Sequence, residues 1–178
     1  MTPPDAAAPC VTASVDYFPA AVQIVLEDEG AFSDDKQDPG GKTKYGISQL
    51  AYPTLDIANL TVAQAKTIYL IDYWRRAGCD RLPWRWALPV FDCAVNQGAE
   101  EAVDLLQQAL NLKVDGLVGK VTIAAAVAAG DDTIDLFMAL RGVRYAQDKK
   151  FARYGKGWLR RTYQVLRLSD KEPAPVQA

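Results

Sequence analysis

Glu27-Asp28-Glu29-Gly30-Ala31-Phe32, followed by Asp38-Pro39-Gly40-Gly41-Lys42-Thr43-Lys44-Tyr45-Gly46-Ile47, is the stretch on which the reading of this chain turns. A helix from about Ala20 puts Val22, Val25, Leu26 and Glu29 on one face, at i, i+3, i+4 and i+7. Glu27 and Asp28 fall on the polar side. A carboxylate in register with an apolar stripe, just before the helix-ending Gly30, is costly to place. Burial disfavours its charge, and the partial negative charge of the helix C-terminus pushes the same way. Both raise the pKa, which suits a general acid working near neutral pH. The bland alternative is an edge-of-core glutamate with its head in water.

The second part of the stretch opens with turn chemistry. Asp38 bonds its own backbone, Pro39 presets φ, and the two glycines supply positive φ. Thr43, Tyr45 and Ile47 then alternate with Lys42, Lys44 and Gly46, which predicts a short half-buried strand. The expected arrangement is a helix ending in Glu29 that faces a small β-hairpin carrying Asp38 and Thr43. Two carboxylates and a hydroxyl across a cleft suit glycosidic hydrolysis, in which one acid protonates the leaving oxygen. The other group positions water or stabilises the oxocarbenium-like centre.

These segments, with Ser48 and Ala51-Tyr52-Pro53, resemble the opening of glycoside hydrolase family 108, phage-type N-acetylmuramidases that cleave peptidoglycan. Further matches follow in order: Asp72-Tyr73-Trp74, Phe91-Asp92-Cys93-Ala94-Val95-Asn96-Gln97-Gly98, Asp115-Gly116-Leu117-Val118-Gly119 with Thr122, and Gly157-Trp158 with Arg160-Arg161. The resemblance spans about residues 19 to 163. The family usually reads Glu-Gly-Gly-Tyr where this chain has Glu29-Gly30-Ala31-Phe32, so a tyrosine hydroxyl is missing here. The spacing is also similar to another phage lysozyme family, whose triad is Glu, eight residues, Asp, about five residues, Thr. Here Glu29 and Asp38 are separated by eight residues, and Asp38 and Thr43 by four.

The resemblance implies a mainly α, lysozyme-like helical fold with a short β-hairpin beside the active-site cleft. It implies hydrolysis of the β-1,4 bond between N-acetylmuramic acid and N-acetylglucosamine. Glu29 would be the general acid, Asp38 the second carboxylate and Thr43 a positioner of water. Tyr45, Asn96 and Gln97 would contact substrate. A lytic transglycosylase and a non-catalytic wall-binding module, using the Asp115–Thr122 segment and the basic helices, are the competing readings. Residues 1–17 and 170–178 read as loose ends. Residues 18–100 would form the catalytic region, and 101–169 a helical peptidoglycan-binding-like region packed on it.

Composition excludes several function classes. The chain has 178 residues and is 49% hydrophobic and 24% charged, enough for one good-sized core. No run of eighteen apolar residues exists to span a membrane. The absence of histidine excludes Ser-His and Cys-His catalysis. Cys10, Cys79 and Cys93 lack CxxC spacing, so a zinc site is not expected, and no metal or cofactor is implied. The cysteines read as free thiols in a reducing compartment, with Cys93 filling the core.

Met1 to Cys10 has neither a basic nor a sustained apolar region and does not read as a secretory signal. The expectation is therefore a monomeric phage lysin made in the host cytoplasm and released through holin pores onto the wall. The net charge of −2 hides a basic C-terminal stretch: Arg141, Arg144, Lys149, Lys150, Arg153, Lys156, Arg160, Arg161 and Arg167 against Asp148 alone. It is either a solvated helix face or a surface for an anionic envelope polymer. A nucleic-acid partner is not expected, since the overall balance is acidic.

Periodicity and caps predict the remaining helices. Thr61-Val62-Ala63-Gln64 is a capping box for a helix to about Arg76. Others are expected over 84–97, stopped by Gly98, and over 101–110, with a turn-rich link from Asn111 to Thr122 into 124–129. The last two are expected over 133–152 and 157–168, broken by Gly155 and Gly157. Asp115 or Thr122 would cap the helix that follows them. Asp92 and Asn96, four apart, would line a cleft or tie helices together. Trp74, Trp84, Trp86 and Trp158 are sugar-stacking or core residues, with Tyr45 the foremost candidate for substrate contact.

Overall fold

Helix α3 (Trp84–Gln97) is buried on almost every side, and the other elements are laid around it. Trp84, Trp86, Ala87, Leu88, Val90, Phe91, Cys93 and Ala94 are all buried, the pattern of a helix with no solvent face. The computed structural model describes residues 16–28, 32–33 and 43–174. Helix α1 (Phe18–Asp28) comes first, followed by the strands β1 (Phe32–Ser33), β2 (Thr43–Lys44) and β3 (Ile47–Ser48). Then follow α2 (Val62–Ile68), a π-helical segment (Tyr69–Arg75), a 3-10 turn (Cys79–Arg81) and α3. Helices α4 (Ala99–Ala109), α5 (Lys120–Ala128), α6 (Asp131–Ala146) and α7 (Phe151–Ser169) complete the chain. The fold is mainly α with a small antiparallel sheet, as expected. No described helix is long and apolar enough to cross a membrane.

Helix α1 buries Phe18, Ala21, Val22 and Val25. Phe18 meets Trp74 and Phe91 edge-on, with centroids 5.7 and 6.1 Å apart. Helices α4, α6 and α7 cover the remaining sides of α3, and one core runs from Phe18 to Val165. Trp74, Trp84 and Trp86 belong to it, so these three are anchors rather than sugar platforms.

The polar centre of this packing is Asp92. Its Oδ2 accepts from Arg141 Nη2 of α6 at 2.7 Å, and its Oδ1 from Arg161 Nε of α7 at 2.7 Å. Asp92 and Arg141 are almost wholly buried. Of the two roles open to Asp92, the carboxylate takes the tie between helices. It does not pair with Asn96, whose amide instead donates to the Asp92 carbonyl at 2.7 Å. Arg141 and Arg161 therefore do not belong to a basic surface, and Arg144 is paired with Glu101. Burial pushes the neighbouring Cys93 thiol up to about 12. Cys79 and Cys93 are both free and buried.

Three local expectations are corrected. Residues 43–47 do not form one strand: β2 and β3 are joined by a two-residue turn with positive φ at Tyr45 (52°) and Gly46 (72°). That is the primed turn that matches strand twist, and Gly46 supplies it without strain. The break between the last helices lies at 147–150, not at Gly155. There the Asp148 carboxylate accepts from the Lys150 backbone N–H at 2.7 Å, an alternative to helical bonding. Finally, neither Asp115 nor Thr122 caps α5, whose N-cap is Gly119. Their polar atoms turn inward to Gln107 of α4, which donates to Asp115 Oδ1 at 2.7 Å and accepts from the Asp115 and Gly116 N–H groups. The Gln107 amide, together with the Leu117 N–H, holds the Asp115 carboxyl below its ordinary value.

Two stability predictions follow from this packing. Arg141→Met leaves one oxygen of the buried Asp92 carboxylate without its partner, with Arg161 still on the other, and is expected to cost about 3 kcal/mol in denaturant unfolding. Arg76→Ala, which breaks an exposed pair with Glu100, should cost under ~1 kcal/mol. In α7, a Cβ at Gly157 meets nothing within 4 Å, whereas one at Gly155 meets the Phe151 ring at 2.6 Å. Gly157→Ala should therefore stabilise by up to ~1 kcal/mol, and Gly155→Ala should lose that gain.

Candidate active site

The C-terminal end of α3 opens onto solvent. Gly98, with φ 99°, ends α3 and lets α4 start at the next residue, which turns the chain sharply. A groove with two lobes lies at this corner. One lobe, of about 730 Å³, is walled by Tyr52, Asp72, Tyr73, Gln97 and the first turn of α4. The other, of about 450 Å³, is walled by Asn96, Gln97, Arg144, Tyr145 and Trp158. Gln97 and Glu101 belong to both lobes. Glu100 and Glu101 sit in the first turn of α4, where the helix dipole favours them. Arg144 then grips Glu101 with two bonds, of 2.6 and 2.8 Å, fixing α6 against α4.

Of the residues expected in the site, Glu29 and Asp38 lie outside the described residues. Thr43 is half-buried on β2, opposite Ser33 on one side and Ser48 on the other. Tyr45 sits at the hairpin turn rather than beside Thr43 along a strand. The Lys44 ammonium lies 5.6 Å from its ring centroid, and its carbonyl accepts from the Tyr69 hydroxyl at 2.7 Å. The hairpin is thereby tied to the π-helical segment.

Asn96 and Gln97 are brought into the groove. Each already spends part of its amide on the protein: Asn96 on the Asp92 carbonyl, Gln97 on the Arg141 carbonyl at 3.2 Å and on the Cys93 thiol. Each keeps one N–H and acceptor capacity for a ligand. Trp158 is the one tryptophan at the groove. It stacks with Tyr145 at 5.0 Å and Tyr154 at 6.0 Å, so its ring faces are shared with the protein.

The structure adds a group that sequence reasoning did not assign. The Tyr52 hydroxyl, from the turn after β3, donates to Asp72 Oδ2 of the π-helical segment at 2.7 Å. Partial burial, reinforced by the bonds to Asp72 and Tyr73, raises the Tyr52 phenol so that it stays protonated. Ala51-Tyr52-Pro53 and Asp72-Tyr73-Trp74 are legible motifs, yet no periodicity links residue 52 to residue 72. Among the described residues, no group of three or more His, Cys, Asp or Glu side chains is placed to hold a metal ion. Phenols, amides and carboxylates along a solvent-open groove suit a ligand rich in hydroxyl and amide groups.

Comparison with known proteins accords with this chemistry. A sequence model of the family described as glycosyl hydrolase 108 matches residues 22–98, from α1 to the end of α3. The solved structure of Brucella abortus SagA superimposes with a TM-score of 0.78 at 30% sequence identity, over 85% of this chain and 92% of that one. No curated protein matches the chain. The matched segment carries most of α1, the sheet and the α3 end of the groove, and the likeness to SagA covers a larger share of the chain. The chain belongs to the glycosyl hydrolase 108 family and is a peptidoglycan-degrading glycoside hydrolase.

Proposed function

We propose that this enzyme is an N-acetylmuramidase that hydrolyses the β-1,4 bond between N-acetylmuramic acid and N-acetylglucosamine, with Glu29 as its general acid. The observation that supports this most directly is the register of α1. Phe18, Val22 and Val25 are buried in succession, and residue 29 is the next position on that stripe, one residue past the helix end at Asp28. A carboxyl at that sequence register, set against apolar surroundings and the negative end of a helix, would stay protonated until it is needed.

Asp38 then stabilises positive charge at the anomeric carbon or orients water. A separation from Glu29 of about 5–5.5 Å would give retention, and ~6.5–9.5 Å inversion. Thr43 helps to place the water. Tyr45 contacts sugar from the hairpin turn, while Asn96 and Gln97 bond hydroxyl or acetamido groups from the groove. The outer face of α7 offers Arg153, Lys156, Arg160 and Arg167 at helical spacing, all exposed. Contact with an anionic envelope polymer through that face is part of this reading.

The motif order resembles phage-type enzymes, which supports a role as an endolysin. Such a protein is made in the host cytoplasm and reaches the wall through a holin-type pore. A second reading, wall remodelling by a bacterium's own enzyme, is favoured by the likeness to a Brucella abortus protein.

The test is turbidity loss of purified peptidoglycan, with mass spectrometry of the released fragments. Wild type should release fragments with reducing muramic acid ends, and folded Glu29→Gln should lose activity by at least about a hundredfold. Anhydro-muramic ends, lighter by one water, would make the enzyme a transglycosylase. Clearing by Glu29→Gln at the wild-type rate would remove Glu29 from the mechanism.

A further inference from the structure

The helix that opens at Thr61 changes its winding where it reaches the groove. Thr61 caps it with a reciprocal bond to Gln64, α2 runs to Ile68, and Tyr69–Arg75 then follow i→i+5 bonding. Seven residues of π-helix are rare, and such segments gather at functional sites. The sequence Tyr-Leu-Ile-Asp-Tyr-Trp-Arg contains neither proline nor glycine, so the cause lies in what the winding does. In an α-helix, residues five apart point about 140° from one another. With i→i+5 bonding they swing towards one face, and Tyr69 and Trp74 are both buried and both pack on Phe91, at 6.1 and 5.2 Å. Between them Leu70 and Tyr73 stay packed against the core and Ile71 is exposed, while Asp72 and Tyr73 line the larger lobe of the groove.

Asp72 is also held there by a dedicated partner. The Tyr52 hydroxyl donates to one oxygen, Oδ2. Among the described residues, no hydrogen bond or ion pair reaches the other oxygen, Oδ1. A half-buried carboxylate with one oxygen anchored and the other open to a groove is a directed acceptor. Hydrogen bonds to ionised acceptors are stronger than neutral ones. The phenol rings of Tyr52 and Tyr73 beside it offer the flat, amphipathic surfaces against which a sugar ring packs. Neutral donors, hydroxyl and acetamido N–H, satisfy the site without a counter-ion.

We propose that Asp72, oriented by Tyr52, forms a glycan subsite in the larger lobe of the groove. There Asp72 Oδ1 accepts a hydrogen bond from an N-acetylhexosamine unit of the strand. Asp72 is a binding residue and Tyr52 a positioning residue. The subsite rests on the muramidase reading, since it presumes that a glycan strand occupies the groove.

The test uses the full chain and soluble glycan strands freed of their peptides by an amidase. Titration calorimetry in the Glu29→Gln background gives binding, and steady-state cleavage in the wild-type background gives KM and kcat separately. Asp72→Asn should weaken binding and raise KM by about tenfold, with kcat changed less than about twofold. Tyr52→Phe should do the same to a smaller degree. Asp132→Asn, an exposed change on α6, should do neither. Thermal unfolding of each variant checks its fold, and if Asp72→Asn does not fold, Tyr52→Phe decides. The proposal is overturned if wild type cleaves the strands while folded Asp72→Asn or Tyr52→Phe binds and cleaves as its parent does. It is also overturned if the loss falls on kcat alone. Failure of wild type to cleave any strand would overturn the muramidase reading itself, and binding by the Glu29→Gln series would then judge the subsite separately.

Discussion

Everything in the helical half of this molecule hangs on one buried carboxylate. Asp92 sits near the centre of the innermost helix and binds one guanidinium from each of the two longest outer helices. Two cations around one anion is not a cheap arrangement in an interior, where desolvation cancels much of the attraction. Its value lies in direction. Apolar side chains let helices slide and rotate at small cost, whereas a carboxylate gripped on both oxygens accepts one register of α6 and one of α7. Around it closes the apolar core from Phe18 to Val165.

That register decides the shape of the groove. With Arg141 fixed, its carbonyl receives the Gln97 amide, which sets the angle at which the end of α3 emerges. Tyr145, one turn farther along α6, stacks on Trp158 of α7 and closes the smaller lobe. On the opposite side the π-helical segment does comparable work. It keeps two aromatics on Phe91 and turns a carboxylate and a phenol towards the larger lobe, while Tyr69 holds the hairpin through the Tyr45 carbonyl. The groove is thus a by-product of two internal demands: an ion pair that cannot rotate, and an aromatic cluster that needs an altered winding.

Much of this was legible in the chain. The α1 stripe, the capping box at Thr61, the long apolar run of α3 and its stop at Gly98 are local signals, and each element formed where its signal lies. Asn96 and Gln97 were singled out from a motif and do reach the groove. Misreadings came where two local signals competed. Gly155 and Gly157 look like a helix end, but Gly155 leaves room for the Phe151 ring, and Asp148 breaks the chain earlier with a bond to its own backbone. Tyr45 looked like the middle of a strand, because alternation is the same on either side of a two-residue turn. Arg141 and Arg161 looked like surface charge, since nothing nearby in sequence reveals a partner 49 or 69 residues away.

The sequence alone determined the helical architecture, the family and the apolar stripe of Val22 and Val25 on α1. These are properties of residues within a few turns of one another, where backbone geometry makes spacing equivalent to direction. The tertiary structure alone decided which charges are internal, how the hairpin and the π-helical segment meet, and that Tyr52 stands against Asp72. Those pairings depend on where separate elements are carried by the packing of the core, and no local period encodes that.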